Sequence, residues 1–597
     1  GTVTTATDLN TTPDQLVANL QAIFRSILST STTFVAPSVA VNVYNRSQVL
    51  SDFFVAMFQV DGSNFPTWPG NIKKYALQND SSGALAIQDV NNTNAVDATD
   101  GRIVRGALSH WTIRDDLPAP TVTDAFDAGK DGRVVNRGGS GSKTPGFKLL
   151  CDNTDYTTDT SCYPGSYSPG LTNASGNTTN ITARRIFTEP DTFTNGTATT
   201  PMALNADQTT ADTSSIKTNL GATTAGTFTG TNCSTDGSDT TSASACNLLK
   251  YVRGLNADGT NRAWMMGDIL HSRPLAINYG TTGGYSTSNP NVRVFVGSND
   301  GQLHSIRNTT TGAVQDGVEA WAFMPRQTMA IVSTLKANAT GATHPYGVDA
   351  APAAYVYDVN QDGNIDSAAG DKVIVYFGLG RGGNAYYALD VTDPETPKLL
   401  WRIQRTSGGD FDELGQTWST PRVADMVYGG SSTPAPVLIF AGGYDTNKDT
   451  SSSGHTAAAG GNDTYGNAVY VVNALTGALV WKAVYNSSVS SPDYDSNTKA
   501  YRRNDMRDGI PSAVTVMDAN GNGLADRIYV GDTGGKLWRG DLYSNNESAW
   551  SFVPILSVGR HYDPATSADR RFFFPPDVTQ TKEDNGTLYD AVSIGTG

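Results

Sequence analysis

The sequence predicts a mainly β protein: an incomplete β-propeller, preceded by a β-rich domain with one N-terminal helix and a long irregular Thr/Ser-rich insertion. Three observations predict it. From about residue 264 onward, short apolar strands recur with Gly-rich turns and tryptophans near the repeat ends. Between about residues 126 and 247 the chain is rich in Thr, Ser, Asn, Gly and Asp and nearly empty of apolar clusters. Ahead of that stretch, a helical pattern is followed by two runs of β-branched and aromatic residues.

The helix is expected over residues 12–30. Thr12 suits its cap, Pro13 its first position, and Gln15 completes a capping box. Leu16, Leu20, Ile23, Phe24 and Ile27 follow at helical spacing and form one apolar face. Strands are expected at 38–44 and 53–58, which makes residues 1–125 a β-rich domain. The 126–247 stretch buries little surface and reads as an irregular excursion. Its four cysteines fall in two close pairs, Cys151 with Cys162 and Cys233 with Cys246. Zinc would favour C-x₂-C spacing with histidines nearby, so two local disulfides and an oxidising compartment are expected, with free thiols in exposed loops as the alternative.

The propeller is expected over 248–597. Strands at 294–305, 384–390 and 468–473 lead to Trp321, Trp401 and Trp481, and a fourth repeat runs from Ile528 to Arg539 through Trp538. Units of about 40 residues or more, each with several short strands, read as propeller blades. Four repeats and the start of another at Ala591–Gly595 fall at the low end for a closed propeller. The final blades are therefore expected to lie beyond this chain, which reads as a fragment or processed form.

Of the 597 residues, 17% are charged and the net charge is −15, which argues against a nucleic-acid partner and suits a collector of divalent cations. No run of 18 apolar residues occurs, so no transmembrane segment is expected. The chain opens Gly1-Thr2-Val3-Thr4, without a signal peptide. It contains no G-x-S-x-G elbow, H-E-x-x-H or P-loop, and no enzymatic activity is expected.

Two nine-residue stretches carry the chemistry. Asp358, Asn360, Asp362 and Asp366 occupy positions 1, 3, 5 and 9 of the first, with Gly363 at position 6. Asp518, Asn520, Asn522 and Asp526 do so in the second, with Gly523 at 6. Calcium takes six to eight hard oxygens, and a loop that turns every second side chain inward supplies them. The position 7 carbonyls, from Asn364 and Leu524, add backbone ligands. Neither loop is an EF-hand: position 12 is Ala369 or Tyr529, and strands flank both. The position 9 aspartate, a distant residue or water must complete the shell. The second loop has two carboxylates against three and is expected to bind calcium (Ca2+) more weakly. A third stretch, Asp445–Asp449, holds Lys448 and lacks the glycine, and reads as a plain turn.

Several segments together resemble the PilY/PilC family of bacterial type IV pili. They are Phe34–Asn42, Trp68–Tyr75, Tyr251–Gly254, Met266–Pro274, Val296–Gly301, Tyr387–Pro394 and Gly531–Gly535. The resemblance leaves out residues 126–247. It implies a modified seven-bladed propeller bearing calcium loops of this nine-residue kind, with the ligands on the aspartates and asparagines named above. It also implies an extracellular protein at the pilus tip and bacterial cell surface, reached through the periplasm and outer membrane. Its partners would be minor and major pilins and a host or surface receptor. Its roles would be pilus assembly, the extension–retraction balance governed by calcium, and adhesion.

Two alternatives stand beside it. One is a calcium-dependent surface adhesin without an assembly role. The other is a quinoprotein-like dehydrogenase, whose propeller commonly carries an adjacent cysteine pair that this chain lacks. His271 reads as fixing a blade junction and not as part of a triad. The tripeptide Arg539-Gly540-Asp541 falls at the end of a strand, which does not present it as an adhesive loop would.

Overall fold

The computed structural model describes residues 36–597, apart from 42–48, 113–130, 145–183, 206–209, 234–243, 257–261, 309–316, 450–461, 560–569 and a few shorter stretches. The helix expected over 12–30 lies outside the described residues.

Antiparallel four-stranded meanders succeed one another along the chain. The first joins β1 (Ala36–Val41), β2 (Val49–Phe58), β3 (Gly70–Asn79) and β4 (Leu85–Gln88) in that order. Between it and the next come β5 (Ile186–Thr188), β6 (Met202–Ala203) and a short hairpin of β7 (Phe228–Thr229) and β8 (Asn232–Cys233). Blade A holds β9 (Leu275–Asn278), β10 (Val292–Gly297), β11 (Leu303–Arg307) and β12 (Glu319–Phe323). Blade B holds β13 (Ala353–Tyr357), β14 (Lys372–Gly378), β15 (Ala385–Asp390) and β16 (Lys398–Gln404). Blade C holds β17 (Arg422–Met426), β18 (Ala435–Ala441), β19 (Ala468–Asn473) and β20 (Leu479–Tyr485), widened by β21 (Asp493–Asp495) and β22 (Ala500–Arg503). Blade D holds β23 (Thr515–Met517), β24 (Arg527–Gly531), β25 (Lys536–Asp541) and β26 (Ser551–Ser557). A last hairpin pairs β27 (Asp577–Lys582) with β28 (Leu588–Ser593).

The core lies between sheets. Phe295, Trp321 and Leu303 of blade A pack with Val375, Phe377 and Tyr387 of blade B. Tyr376 and Trp401 of blade B pack with Phe440 and Tyr470 of blade C, and Trp481 of blade C with Trp538 and Phe552 of blade D. An interior blade thus hides one face against each of its two neighbours, as stacked repeats require. The leading strands of successive sheets touch: β13 meets β17, and β17 meets β23. The N-terminal sheet follows the same rule. β1 touches β9, and Phe54, Ile72 and Trp111 share a core with Val294 and Val296 of blade A. It stacks on the array as a further blade-like sheet.

Two devices recur. Third and fourth strands pair with a register shift in every blade, at Ser305/Ile306, Ala388/Leu389, Val471/Val472 and Leu537/Trp538. Such a bulge adds local twist. In blades A and B the tryptophan of the last strand also donates its indole N–H to the last turn of the next blade. Trp321 donates to the Pro394 carbonyl and Trp401 to the Ala474 carbonyl, each at 2.9 Å. Blades C and D depart from this scheme: the buried indole N–H of Trp481 on β20 has no partner among the described residues, and Trp538 lies on the third strand of blade D and donates to Asp532 within its own blade.

Residues 126–247 hold more order than their composition suggests. β5 pairs in parallel with β12, which carries blade A to six strands with β6 at its edge. Ile186, Leu204, Ile216 and Leu220 gather with Leu248, Leu249 and Val252 of the helix Ala245–Val252. Buried Arg184 clamps Glu319 of blade A through two bonds of 2.8 and 2.9 Å. Glu319 in turn holds His304 Nδ1 at 2.8 Å. Apolar residues too sparse to register as clusters in sequence meet because the chain folds them onto an existing sheet. Cys246, in the first turn of that helix, is disulfide-bonded. Cys151 and Cys162 lie outside the described residues.

Candidate functional site

Both nine-residue loops occupy the same place in their blades, the hairpin between leading and second strand: β13–β14 in blade B and β23–β24 in blade D. Gly363 and Gly523, at position 6, have φ of 81° and 85°, conformations only glycine adopts without strain. Position 4 is left-handed as well, at φ 58° for Gln361 and 77° for Gly521.

The chain wraps around the first aspartate. Asp358 accepts the Gln361 N–H on one oxygen and the Gly363 N–H on the other, both at 2.8 Å. Asp518 accepts the Gly521 and Asn522 N–H groups on one oxygen and the Gly523 N–H on the other. Asn360 accepts from the Asp362 N–H, and Asn520 from the Asn522 N–H. Asp362 accepts from the Asn364 N–H, and Asn522 from the Leu524 N–H. The two loops therefore share one hydrogen-bond plan through position 7. Burial pushes the Asp518 carboxyl up, and the N–H groups of Gly523, Gly521 and Asn522 outweigh it and hold it below the usual aspartate value. The Asn364 N–H does the same for Asp362. The position 7 carbonyls of Asn364 and Leu524 accept no hydrogen bond from the described residues.

Position 9 is where the loops part. Asp526 accepts the N–H of Ala519, at position 2, and the side-chain amide of Asn520. Asp366 does neither: it accepts the Ala368 N–H and caps the short helical turn Ser367–Ala369. The position 2 N–H of the first loop, from Val359, goes instead to Asp371 at 2.9 Å. Asp371 is buried and also accepts the Asp366 N–H. In this hydrogen-bond plan the structural counterpart of Asp526 is thus Asp371, while Asp366 turns to the Ala368 N–H. Counting from the loop start hides this. Counting back from the next strand would have found it, because Asp371 and Asp526 each stand one residue before β14 and β24.

Position 8 docks both loops on the preceding blade. The Ile365 N–H donates to the Tyr279 carbonyl beyond β9 at 3.0 Å, and the Ala525 N–H to the Asp425 carbonyl of β17 at 2.9 Å. The first loop adds a side-chain tie, since the Asn364 amide oxygen accepts the N–H and hydroxyl of Thr281. These loops are therefore seam elements.

The donors suit a hard cation. Carboxylate and amide oxygens with a free carbonyl make up each set, with no thiolate or imidazole among them. Among the described residues no group of three His, Cys, Asp or Glu side chains converges as a metal centre, so asparagine and backbone oxygens must complete any shell. The third stretch is a plain turn. Asp445 accepts three backbone N–H groups, and the Lys448 ammonium lies 2.5 Å from Asp508 and 3.4 Å from Asp463.

Two other sequence features resolve. His271 Nδ1 lies 2.7 Å from Asp349, just ahead of β13, so it bridges blades A and B from a loop before β9. Arg539-Gly540-Asp541 lies within β25 between two paired strands, and Asp541 is held by Arg527 and Arg539. That pairing removes it as a presented adhesive loop.

This sheet order, with its stacked cores and seam loops, defines a β-propeller of the kind found in pilus biogenesis factors: the PilY1 β-propeller domain family matches residues 266–552. Over those residues the chain is similar to the PilY1 family. It is 29% identical over 349 residues to the type IV pilus biogenesis factor PilY1 of Pseudomonas aeruginosa strain UCBPP-PA14, covering 55% of this chain and 24% of that protein. It is 29% identical over 335 residues to a PilY1 homolog of Xylella fastidiosa strain Temecula1, covering 52% of this chain and 22% of that protein. These alignments span about a quarter of the relatives' length. The crystal structure of the Pseudomonas aeruginosa PilY1 C-terminal domain matches with TM-score 0.35 and 22% identity, over 52% of this chain and 53% of that one. Among the described residues no helix is long and apolar enough to cross a membrane.

Proposed function

We propose that this chain is a calcium-binding, non-enzymatic part of a type IV pilus biogenesis factor, displayed at the pilus tip or cell surface. There it supports assembly, tunes the balance of extension and retraction, and contributes to adhesion. One observation carries the calcium half. Two loops with the same oxygen plan sit at the same hairpin of two blades, and each donates its position 8 N–H to the blade behind. Asp358, Asn360, Asp362 and the Asn364 carbonyl would hold an ion in the first, with Asp371 in support. Asp518, Asn520, Asn522, the Leu524 carbonyl and Asp526 would hold one in the second. A bound calcium ion would supply charge neutralisation and a cross-link between oxygens that otherwise repel. Ile365 and Ala525 would pass that rigidity to the seams. Minor and major pilins are the proposed partners, with a host or surface receptor at the exposed face.

Calorimetric titration of the purified chain with calcium tests the metal, and two binding events of unequal strength are expected. In piliated cells, Asp358→Ala with Asp371→Ala should disturb pilus display or twitching. Normal piliation and motility with lost attachment would point instead to an adhesin without an assembly role.

A further inference from the structure

A cavity of about 900 Å³ opens where the leading strands of the blades converge. Segments just ahead of β9, β13, β17, β23 and β27 all reach its wall, so it lies on the inner side of the array. Its lining runs against the charge of the chain. Arg273, Arg381 and Arg422 all face it, within a protein of net charge −15. Among the described residues none of the three guanidinium groups makes a hydrogen bond or ion pair, whereas arginines elsewhere, such as Arg184, Arg503 and Arg527, are paired.

Arg381 is pre-positioned. Its guanidinium lies 4.7 Å from the Trp418 ring centroid and 5.4 Å from that of Tyr346, so ring contact fixes it while its N–H edges stay unused. A guanidinium held this way is a ready fork for a carboxylate. Trp418 stacks on Tyr444 with centroids 4.3 Å apart. Phe574, 68% exposed, adds an apolar face to the same wall.

Further polar groups select among anions. His271, half exposed to the cavity, has its Nδ1 committed to Asp349. Its Nε2 is the ring nitrogen left without a partner among the described residues. Asp349 Oδ1 and Ser512 Oγ are buried in the wall without a hydrogen-bond partner. Asp349 Oδ1 is an acceptor that asks for an O–H donor, which a flat aromatic polycarboxylate lacks.

We propose that this cavity binds a carboxylated sugar: its carboxylate on Arg381 with Arg273 or Arg422, its hydroxyls toward His271, and its apolar C–H face on the aromatic wall. Nothing in the proposal draws on the calcium loops, so titrations in calcium and in a chelator tell the two apart. The test is ligand-observed NMR and calorimetry on the purified chain with D-glucuronate, D-glucose and phthalate. Glucuronate should bind, with glucose weaker by about tenfold or more. Arg381→Ala should weaken glucuronate by about tenfold. The paired change of exposed Arg273 and Arg422 to Ala should weaken it severalfold with an unchanged circular dichroism spectrum. Equal affinity for glucose and glucuronate, binding of phthalate but not glucuronate, or no saturable binding by a folded chain would each overturn the proposal.

Discussion

The two loops share a plan but not a setting. Asp358 is 2% exposed while Asp518 is open to solvent. In the first loop the closing carboxylate comes from Asp371, thirteen residues after Asp358; in the second it comes from Asp526, eight residues after Asp518. The first loop spends the extra length on a helical turn capped by Asp366. It also forces Gln361 into a left-handed conformation where the second loop has Gly521. The difference teaches that the hydrogen-bond plan, and not the residue count, defines such a loop. Local insertions are absorbed as long as a carboxylate returns to the position 2 N–H.

The largest expected effect lies outside both loops and sets their baseline. Burial pushes His304 down, and Asp300 and Glu319 outweigh it and lift it to about 9. Burial likewise pushes Glu319 up, but Arg184 and His304 outweigh it and hold it at about 2. The stability from His304 is complete below about pH 6.5 and lost as pH rises through about 9. That from Glu319 is complete above about pH 4.5 and lost as pH falls toward 2. Denaturant titrations in chelator should therefore be most stable near pH 5–6, on the order of the window between those two groups. A flat profile from pH 5 to 9 would remove the network as the anchor of blade A.

Next in size, Asp358→Ala should cost about 2–3 kcal/mol without calcium, because two N–H groups lose a charged acceptor in a buried setting. Asp518→Ala should cost clearly less. Equal losses in chemical denaturation would erase the contrast in setting. The third test separates the closing carboxylates. Asp371→Asn should weaken calcium at the first loop by about tenfold, and Asp526→Asn should do the same at the second, by removing one carboxylate from each. Asp366→Asn should leave affinity within about twofold. Calorimetry showing the reverse would restore Asp366. The smallest effect is Gln361→Gly, expected to stabilise the first loop by about 0.5 kcal/mol through relief at positive φ.

Much of this was legible in the sequence. Alternating apolar runs located the blade strands, and the glycine at position 6 fixed the loop turns, because both are local properties of the chain. The expected plain turn at Asp445–Asp449 followed from Lys448 in the same way. What escaped was set by distant partners. Asp371 falls outside any nine-residue window. The docking of Ile365 and Ala525 depends on the blade behind. The order of residues 184–252 depends on Arg184 finding Glu319 and on β5 finding β12, neither of which leaves a local pattern.

Lys448 gives the seam between blades C and D an asymmetry. At one end, near Asp425 and Ala525, the proposed cation can be taken away by a chelator. At the other, between Asp463 and Asp508, the cation is an ammonium bonded to the chain itself and cannot leave. Starving the protein of calcium would then loosen this seam at a single end. The two blades would open like a book along a spine instead of drifting apart, and the change would reverse when the ion returned.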